Sequence, residues 1–314
     1  MKNLSLREIH YILTIAEEGN ITRAAQQLYI AQPSLSQALK KIEEEMGTSL
    51  FYRVKNRMQL TQSGEMFLET GQKIMKAMRD LENSILDIEQ LRGGTLSLGM
   101  PYHLGAVFVP KAVTRYKALY SGIKLQLYES NSRELENMVL NGIIDLAIIP
   151  LPVESVGLYT KTFFSGKMVM LVSRNHPLAK LAYTKKDGKR YFDLRNADKQ
   201  DFIVGNQGQS IRRSAEAIFR KAGITPCIAL QSKNIETIQR IAATGVGIAL
   251  VPEIYLPKDL EKLSAEYFYL EPEQEVPWLI GIAYLNSGYL SSSAKSFLEI
   301  LEELYTDLQL THLG

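Results

Sequence analysis

The spacing of apolar residues near the start of the chain predicts three short helices in succession. The first ends at Gly19-Asn20, the second begins at about Thr22, which we expect to be its N-cap, and the third begins at Pro33 and ends at Gly47. Residues 29–32 form the turn between the second and third helices. The apolar positions recur every three or four residues, as a helix requires: Leu6, Ile9, Leu13 and Ala16; Ala24, Ala25 and Leu28; Leu35, Leu39, Ile42 and Met46.

A hairpin is predicted after the third helix. Two short runs of alternating apolar residues bracket the polar stretch Lys55-Asn56-Arg57, which is typical of two strands joined by a tight turn. The alternating apolar positions are Leu50, Tyr52 and Val54 before the turn and Met58 and Leu60 after it.

One long helix is predicted over residues 62–91. The stretch contains no proline, and its apolar residues recur every seven positions, which is the pattern of a coiled coil. Gly71 interrupts the stripe near its start. Pairing with another chain explains such a stripe, and packing of the helix against its own domain is the alternative. The stripe consists of Phe67, Ile74, Leu81 and Ile88, with Met78 and Ile85 in a second row.

From Arg92-Gly93-Gly94 onward, strands alternate with helices. This alternation predicts an α/β fold with parallel sheets. The polar residues 181–200, with a turn at Asp187-Gly188, are expected to form a surface excursion. Strands are predicted over residues 95–100, 123–128, 145–149, 168–173, 202–205, 228–231 and 247–251, and helices over 108–120, 132–140, 211–222 and 235–244.

Length and composition limit the classes of protein to which the chain can belong. Its 314 residues exceed one ordinary core and predict two or three domains. The composition, 46% hydrophobic and 22% charged, is typical of a globular protein, and no apolar run reaches the ~18 residues of a membrane span. Charges at Arg7, Glu8, Glu17 and Glu18 break the apolar pattern that a secretory leader needs. We therefore expect a cytoplasmic protein without a membrane partner.

Candidate catalytic and metal-binding chemistry is sparse. The chain has four scattered histidines and neither metal-ligand spacing, a nucleophile elbow nor a phosphate-binding glycine loop, so no enzyme, metal or cofactor is expected. Cys227 is the single cysteine, and we expect it to be buried and inert. His176 precedes a proline and is expected to be structural. The formal net charge is only +2, so a DNA-binding role has to depend on the local arrangement of charge.

The third helix and the hairpin carry side chains suited to DNA. Short polar side chains opposite the apolar face of a helix can enter the major groove and contact bases. Cations on a hairpin suit contacts with phosphates or with the minor groove. The helix N-termini near Thr22 and Ser34 suit contacts with phosphate. A solvated helix face is the alternative for the polar residues alone. Glu43, Glu44 and Glu45 oppose DNA binding and are expected to turn toward the domain surface. The candidate DNA-binding residues are Thr22, Arg23, Gln32, Pro33, Ser34, Ser36, Gln37, Lys40, Arg53, Lys55 and Arg57.

The order of these parts resembles the LysR family of bacterial transcriptional regulators. The string AAQQLYIAQPSLSQALKKIEEEMGTSLFYRVKNRMQLTQSG is similar to the family's pattern of AA, L, QPSLS, IxxLE, LFxR and LTxxG, with Ile42 and Met46 where leucine is usual. The resemblance implies that the QPSLS residues open a recognition helix and that Arg53 lies in a wing. It also implies dimers through the linker helix, commonly tetramers as dimers of dimers, and an inverted-repeat promoter site in double-stranded DNA. We expect RNA polymerase as a further partner.

Three loops in the C-terminal half are candidates for a ligand site. Each follows a predicted strand, which is where α/β sheets bind ligands, and hydroxyls and amides at helix N-termini favour an anion such as a small carboxylate. Ordinary helix caps are the alternative for any one loop. His103 can bind an anion when protonated or serve as a neutral hydrogen-bonding group. The candidate effector-binding residues are Pro101, Tyr102, His103, Ser130, Asn131, Ser132, Asn206, Gln207, Ser210 and Asn234.

The resemblance extends to this C-terminal half. The stretches ENMVLNGIIDLAII, SRNHPLA and ETIQRIAATGVGIALVPE are similar to the family's effector domain. They imply a two-lobed α/β domain that resembles type 2 periplasmic solute-binding proteins, with two crossing strands and the three loops in the cleft. Tyr102 and His103 stand where many relatives carry Ser or Thr, so the resemblance implies no particular ligand.

These features together predict three parts. They are an all-α winged helix-turn-helix DNA-binding domain over residues 1–61, a linker and dimerisation helix over 62–92, and an effector-binding domain over 93–314. Lobe one is expected over 93–163 and 269–314, and lobe two over 164–268. The predicted function is a sequence-specific transcriptional regulator that responds to a small, anionic effector. The alternative is a solute-binding or sensor protein without a direct DNA role, which leaves the N-terminal module unexplained.

Overall fold

The computed structural model describes residues 4–55, 57–88, 93–257, 260–286 and 290–311. The predictions that concern Asn56, Leu91, Arg92 and His312 fall outside these ranges. None of the helices in the described ranges combines the length and apolar character that a bilayer crossing requires.

Three helices form at the start of the chain, as predicted. They are α1 (Leu6–Glu18), α2 (Ile21–Gln27) and α3 (Gln32–Met46). The N-cap prediction for Thr22 is wrong, because the side chain of Asn20 accepts the backbone N–H groups of Thr22 and Arg23 and so starts the second helix one residue earlier. The third helix likewise starts one residue before Pro33, and its N-cap, Ala31, makes no side-chain hydrogen bond.

One small core holds these helices together. Its most buried members are Ile12, Ile15, Leu35, Ile42 and Leu50, all at most 1% exposed. The predicted stripe of the first helix is wrong in part, because Ile12 and Ile15 enter the core while Leu6 is 39% exposed. Full burial of one such side chain contributes about 1.5–3 kcal/mol. The core therefore fixes α3 on its apolar side and leaves the opposite side of the helix to solvent.

The hairpin follows as β1 (Phe51–Val54) and β2 (Arg57–Leu60), which pair antiparallel. The predicted alternation is wrong in one respect: Tyr52 and Val54 are exposed, and Phe51 is the strand residue that enters the core. A hydrogen bond of 2.9 Å from the backbone N–H of Met58 to the carbonyl of Gly19 ties the hairpin to the end of α1. This tie keeps the hairpin beside the three helices.

The long helix α4 (Gln62–Ile88) serves two kinds of packing. Its first half packs on α1, where Phe67 is buried and the space beside Gly71 is filled by Ile9 and Leu13. The glycine that interrupts the heptad stripe thus leaves room for these two side chains of α1. Further along, Ile74, Leu81 and Ile85 are exposed by 38%, 53% and 47%, so this part of the stripe is uncovered in the single chain.

The elements of the first C-terminal lobe are β3 (Thr95–Met100), α5 (Tyr102–Leu119), β4 (Lys124–Glu129), α6 (Ser132–Leu140), β5 (Leu146–Pro150), β6 (Leu158–Gly166), β14 (Trp278–Leu285) and α9 (Ser292–Thr311). Its sheet consists of five strands in the order β4-β3-β5-β14-β6. Strands β3 and β4 pair parallel, and β14 pairs antiparallel with both β5 and β6.

The elements of the second lobe are β7 (Met168–Ser173), β8 (Tyr183–Thr184), β9 (Arg190–Phe192), β10 (Asp201–Gly205), α7 (Ser210–Ala222), β11 (Cys227–Ser232), α8 (Ile235–Ala243), β12 (Ala249–Pro252) and β13 (Ala265–Leu270). They form a five-stranded sheet of order β12-β7-β13-β9-β8 and a parallel pair, β10-β11. The chain crosses between the lobes twice, from β6 to β7 and from β13 to β14.

Four expectations for this half need correction. The sheets are mixed rather than parallel, because β7, β12, β13 and β14 make antiparallel pairs. The polar stretch 181–200 is not merely a surface excursion, since Tyr191, Phe192, Leu194 and Ala197 are buried in the core. The predicted helix at 108–120 begins earlier, at Tyr102, and continues through Pro110. Cys227 is exposed rather than buried.

Candidate DNA interface and effector cleft

The outer face of α3 presents the polar side chains that the sequence singled out. Pro33, Ser34, Gln37 and Lys40 are exposed, while Leu35 and Leu39 on the same helix are buried. Gln32 and Ser36 are half-buried, and the amide of Gln32 donates to the hydroxyl of Ser36 at 2.6 Å. Because Ala31 gives no side-chain cap, the N–H groups of the first turn have no competing acceptor from their own cap. The start of this helix can thus accept phosphate and base contacts.

The glutamates at the end of α3 are occupied within the domain. One carboxylate oxygen of Glu43 accepts the backbone N–H groups of Leu50 and Phe51 at 2.6 and 3.1 Å, which anchors the first hairpin strand. Glu44 pairs with Lys40 at 3.7 Å, and Glu45 pairs with Lys41 at the same distance. The contacts of Glu43 agree with the expectation that these acids turn toward the domain, whereas Glu44 stays exposed beside Lys40, a candidate DNA-binding residue. No sequence signal identified Glu43 as the anchor of the hairpin.

Three exposed cations lie on the hairpin. Arg53, Lys55 and Arg57 are exposed, and none of them forms an ion pair with a residue in the described part of the chain. Lys55 also takes a left-handed backbone (φ 44°) at the turn. Arg23, by contrast, already pairs with Glu18 at 3.2 Å. The hairpin therefore carries the local positive charge that the overall composition lacks.

Tyr29, in the turn before α3, was not singled out by the sequence. Its side chain is 95% exposed, and its backbone is left-handed at φ 55°, a conformation that favours glycine or asparagine. Tyr29 is thus a large exposed aromatic residue in a strained backbone conformation, next to the exposed start of α3. The sequence feature that points to Tyr29 is an aromatic residue in the turn of a helix-turn-helix.

A cleft of about 730 Å³ separates the two C-terminal lobes, a volume within the range of ligand pockets. All ten predicted effector residues line it. The sequence missed Glu129, Arg133, Lys233, Tyr255 and Trp278, which also line the cleft. The aromatic residues among these come from the crossing strand β14 and from the segment after β12, neither of which the loop argument considered.

The mouth of the cleft brings two helix N-termini from different lobes together. The hydroxyl oxygens of Ser132, which opens α6, and Ser210, which opens α7, lie 3.5 Å apart. The N-cap of α7, Gln209, makes no side-chain cap; its amide instead accepts from Asn206 N–H at 2.8 Å and donates to the carbonyl of Lys233 at 3.0 Å. Both helix dipoles therefore point their positive ends at one place.

Other predicted residues have internal roles in the structure. Asn131 and Asn234 cap α6 and α8 by accepting backbone N–H groups. Ser130 and Asn131 also donate to the carboxylate of Glu134, so an acid of the protein already uses these donors. The alternative of ordinary caps thus describes part of this cleft. The hydroxyls of Ser132 and Ser210 are the donors that face one another across it.

The floor of the cleft is aromatic. The rings of Tyr102 and His103 lie 5.4 Å apart, those of His103 and Tyr255 5.9 Å, and those of Tyr255 and Trp278 6.2 Å. Burial raises the pKa of Tyr255. The nearby indole N–H of Trp278 partly opposes this rise in the pKa of Tyr255. It does not form a hydrogen bond with the Tyr255 hydroxyl.

His103 acts as a neutral acceptor in this arrangement. Its Nε2 accepts the backbone N–H of Ile235 at 3.2 Å and thereby joins α5 of one lobe to the start of α8 in the other. Burial lowers the pKa of His103, and the charge of Glu236 opposes the effect. Because the accepting nitrogen has to be unprotonated, the structure favours the neutral state over a protonated anion binder.

Two family models match different parts of the chain. Residues 6–65 match the family described as bacterial regulatory helix-turn-helix protein, lysR family, and residues 89–306 match the one described as LysR substrate binding domain. An uncharacterized HTH-type transcriptional regulator, YcgK of Bacillus subtilis (strain 168), is 27% identical over 310 residues, which cover 96% of this chain and 94% of that protein.

Two further proteins extend these comparisons. The HTH-type transcriptional activator CmpR of Synechocystis is 26% identical over 306 residues, covering 96% of each chain. The solved structure of full-length OxyR from Pseudomonas aeruginosa superposes with a TM-score of 0.71 at 23% identity, covering 96% of this chain and 95% of that one. The fold is therefore shared along almost the whole length of the chain.

Proposed function

The chain belongs to the LysR family of transcriptional regulators, and on that premise we propose that α3 and the hairpin hold promoter DNA while an anionic effector in the cleft changes how they hold it. The helix-turn-helix is the DNA-binding part, and the two-lobed domain is the effector-binding part. The relatives are regulators rather than plain solute-binding proteins, so the alternative without a DNA role is set aside.

One observation supports the effector part most strongly. The hydroxyls of Ser132 and Ser210 face each other at 3.5 Å, each on the first turn of a helix and each from a different lobe. An anion at this point would accept both hydroxyls and meet two positive helix ends, which suits a carboxylate. A ligand that bridges the lobes in this way changes their relative position, and binding energy that differs between two states shifts the balance between them.

On the DNA side, we assign base contacts to α3 and phosphate contacts to the hairpin. Gln37 is exposed in the second turn of α3, and glutamine reads adenine in the major groove. Arg53, Lys55 and Arg57 supply sequence-independent attraction to phosphates. The exposed starts of α2 and α3, with Thr22, Arg23, Gln32, Pro33, Ser34 and Ser36, fix the register of the complex.

The exposed half of the α4 stripe supports a dimer. Two copies of such a stripe bury each other and present two recognition helices to an inverted-repeat site. We extend this proposal to a tetramer built as a dimer of dimers and to contact with RNA polymerase at the promoter. We also propose a cytoplasmic location, because the DNA target lies there. The relatives support a regulatory rather than a catalytic role.

The effector proposal is tested by thermal shift of the full-length protein against a panel of small carboxylates and their uncharged amides. A ligand that binds the folded state raises the melting temperature. We expect some acids to raise it, their amides to have little effect, and the double substitution Ser132→Ala with Ser210→Ala to remove most of the response. The double substitution Ser63→Ala with Ser84→Ala, on α4, is the control. An equal response to acids and amides contradicts the proposal.

Base reading is tested by footprinting and binding on the region upstream of the protein's own gene. We expect Gln37→Ala to weaken binding to the protected site by about 1–3 kcal/mol while binding to unrelated DNA changes little. Gln72→Ala, on the linker helix, is the matched control. Equal losses on both kinds of DNA would show that Gln37 does not read sequence.

A further inference from the structure

An ion pair joins the lobes beside the two facing serines. A guanidinium nitrogen of Arg213, on α7 of lobe two, lies 2.8 Å from a carboxylate oxygen of Glu154, which follows β5 in lobe one. Their side chains are 35% and 50% exposed. The mouth of the cleft is thus bridged twice, once by hydroxyls and once by opposite charges.

Glu154 is held firmly by its own lobe. Glu136, on α6, is only 2% exposed, and its carboxylate accepts the backbone N–H groups of Glu154 and Ser155 at 3.1 and 2.8 Å. The helix that begins at Ser132 therefore also positions Glu154. A buried carboxylate with two backbone donors fixes that segment more strongly than the exposed ion pair can.

Arg213 is held by the opposite lobe at the matching place. Its guanidinium donates to the hydroxyl of Ser210 and to the carbonyl of Gly208, both at 2.9 Å. Gly208 and Ser210 line the cleft. The hydroxyl oxygen of Ser210 is therefore an acceptor toward Arg213, and its proton is free to be donated into the cleft.

We propose that Arg213 is the residue that reads the negative charge of the effector, and that Glu154 holds it in place across the cleft until the effector arrives. The inference rests on the proposed anionic effector and goes beyond it in naming the charge sensor and its internal competitor. An anion that accepts from both facing hydroxyls lies beside Ser210, whose hydroxyl oxygen already accepts from the guanidinium. Arginine has five donors and can turn two of them to the anion without losing Gly208.

The weakness of the ion pair makes this exchange feasible. Exposed ion pairs contribute little net stability because solvent screens them, so a ligand anion competes with Glu154 at little cost. The ligand also repels the carboxylate of Glu154, which loosens the lobe-one side of the bridge. The effector thus replaces a direct bond between the lobes with one that runs through the ligand, whereas an uncharged analogue leaves the ion pair in place.

Hydrogen exchange of the full-length protein without effector tests the first half of the proposal. We expect Glu154→Gln to speed exchange of the backbone amides in residues 206–210 by roughly threefold, the equivalent of a typical exposed ion pair. Arg213→Gln should speed it at least as much, because it also removes the bonds to Gly208 and Ser210. The double variant Glu154→Gln with Arg213→Gln should exchange no faster than Arg213→Gln alone, because the ion pair is already broken there. Glu69→Gln, which breaks a pair of 2.6 Å within α4, is the control. Native exchange rates in both single variants would overturn the bridge.

Sodium sulfate, a probe for the anion, tests the second half against sodium chloride at equal ionic strength. We expect sulfate to raise the melting temperature of Glu154→Gln more than that of the native protein, because its Arg213 no longer pairs with a carboxylate, and to give no specific gain in Arg213→Gln. The same sulfate response in all three proteins, including no response, would overturn the charge-reading role.

The two proposals fail in different ways. A protein that shows the bridge and its sulfate response but no binding to promoter DNA would overturn the proposed function and leave Arg213 as an anion sensor. A protein that binds DNA and responds to carboxylates, with Arg213→Gln responding like the native protein, would overturn only the role of Arg213.

Discussion

The left-handed backbone of Tyr29 lowers the stability of the folded protein, and its side chain is almost fully exposed. Left-handed backbone costs a residue with a Cβ about 1–2 kcal/mol, and asparagine pays less of this cost than tyrosine. We expect Tyr29→Asn to raise the free energy of unfolding by about 0.5–1 kcal/mol in urea denaturation, and to weaken promoter binding because a tyrosine hydroxyl can contact a phosphate. Tyr52→Asn, at an exposed strand position, is the control and should not stabilise. A destabilised Tyr29→Asn would contradict this account.

His103 makes the cleft sensitive to acid. Burial lowers the pKa of His103 in the folded protein, so the unfolded chain binds the proton more readily and stability is lost as the pH falls below about 6.5. We expect the melting temperature to drop between pH 7.5 and 5.5, and His103→Gln to drop less, because a glutamine oxygen accepts the N–H of Ile235 at every pH. His176, whose pKa burial also lowers, contributes to the remaining drop in both proteins. Equal drops would exclude His103 as a source.

At this scale the sequence predicted residue types better than residue roles. All ten effector candidates reach one cleft, because ends of strands and starts of helices converge there by topology. Which of them are free was not predictable, since Ser130 and Asn131 lose their donors to Glu134, a local contact that depends on rotamers. Cys227 was wrong for a similar reason: it sits on an edge strand, where an apolar residue need not be covered.

At the scale of elements, α4 carries the interface that we propose for the dimer. Leu81 is 53% exposed in the second half of the stripe, and a charge there would oppose a helix pair. We expect Leu81→Glu to convert the dimer to monomers in sedimentation equilibrium and to abolish cooperative DNA binding. Leu181→Glu, at a leucine that is 52% exposed in lobe two, is the matched control. A Leu81→Glu protein that stays dimeric would exclude this interface.

A second contact of α4 joins it to lobe one. Lys76 is only 9% exposed and pairs with Asp80, and Arg79 donates to the carbonyl of Gly142. Burial raises the pKa of nearby Asp145, while the charges of Lys76 and Arg79 oppose that rise. This cluster connects lobe one directly to α4, the helix that leads into the DNA-binding domain.

Gly142 tests this contact. A Cβ added there would lie 2.1 Å from a carbon of Lys76, whereas one added at Gly188 meets nothing within 4 Å, and both glycines have a left-handed backbone, with φ of 69° and 75°. We therefore expect Gly142→Ala to lower the free energy of unfolding by about 1–3 kcal/mol more than Gly188→Ala. Thermal or chemical denaturation measures the difference. Equal costs would mean that α4 does not rest on lobe one.

The strands that the sequence missed share one physical cause. β6 and β14 complete the lobe-one sheet by pairing residues more than a hundred positions apart, and β13 inserts between β7 and β9. Strands of this kind owe their place to neighbours rather than to their own period. By contrast, the bounds of the 132–140 helix and the 168–173 strand were predicted to the residue, because their sequence patterns are local.

At the scale of the whole molecule, three parts form one pathway. The cleft joins two lobes, lobe one contacts α4, and α4 continues into the domain that presents α3 and the hairpin. A small change in lobe position at Ser132 and Ser210 is therefore transmitted through α4 to the spacing of the two recognition helices in the dimer that we propose. We infer that the effector acts by shifting populations of such arrangements rather than by creating new base contacts.

The salt dependence of promoter binding tests the central claim most directly. Binding of the full-length protein to its own upstream region is measured by fluorescence anisotropy over a range of salt, for the native protein, Arg53→Ala and the control Arg195→Ala in lobe two. The account predicts binding that weakens linearly in log–log form, with a slope smaller by about one per protomer for Arg53→Ala and unchanged for Arg195→Ala. Binding without salt dependence, or identical slopes in all three proteins, would contradict it.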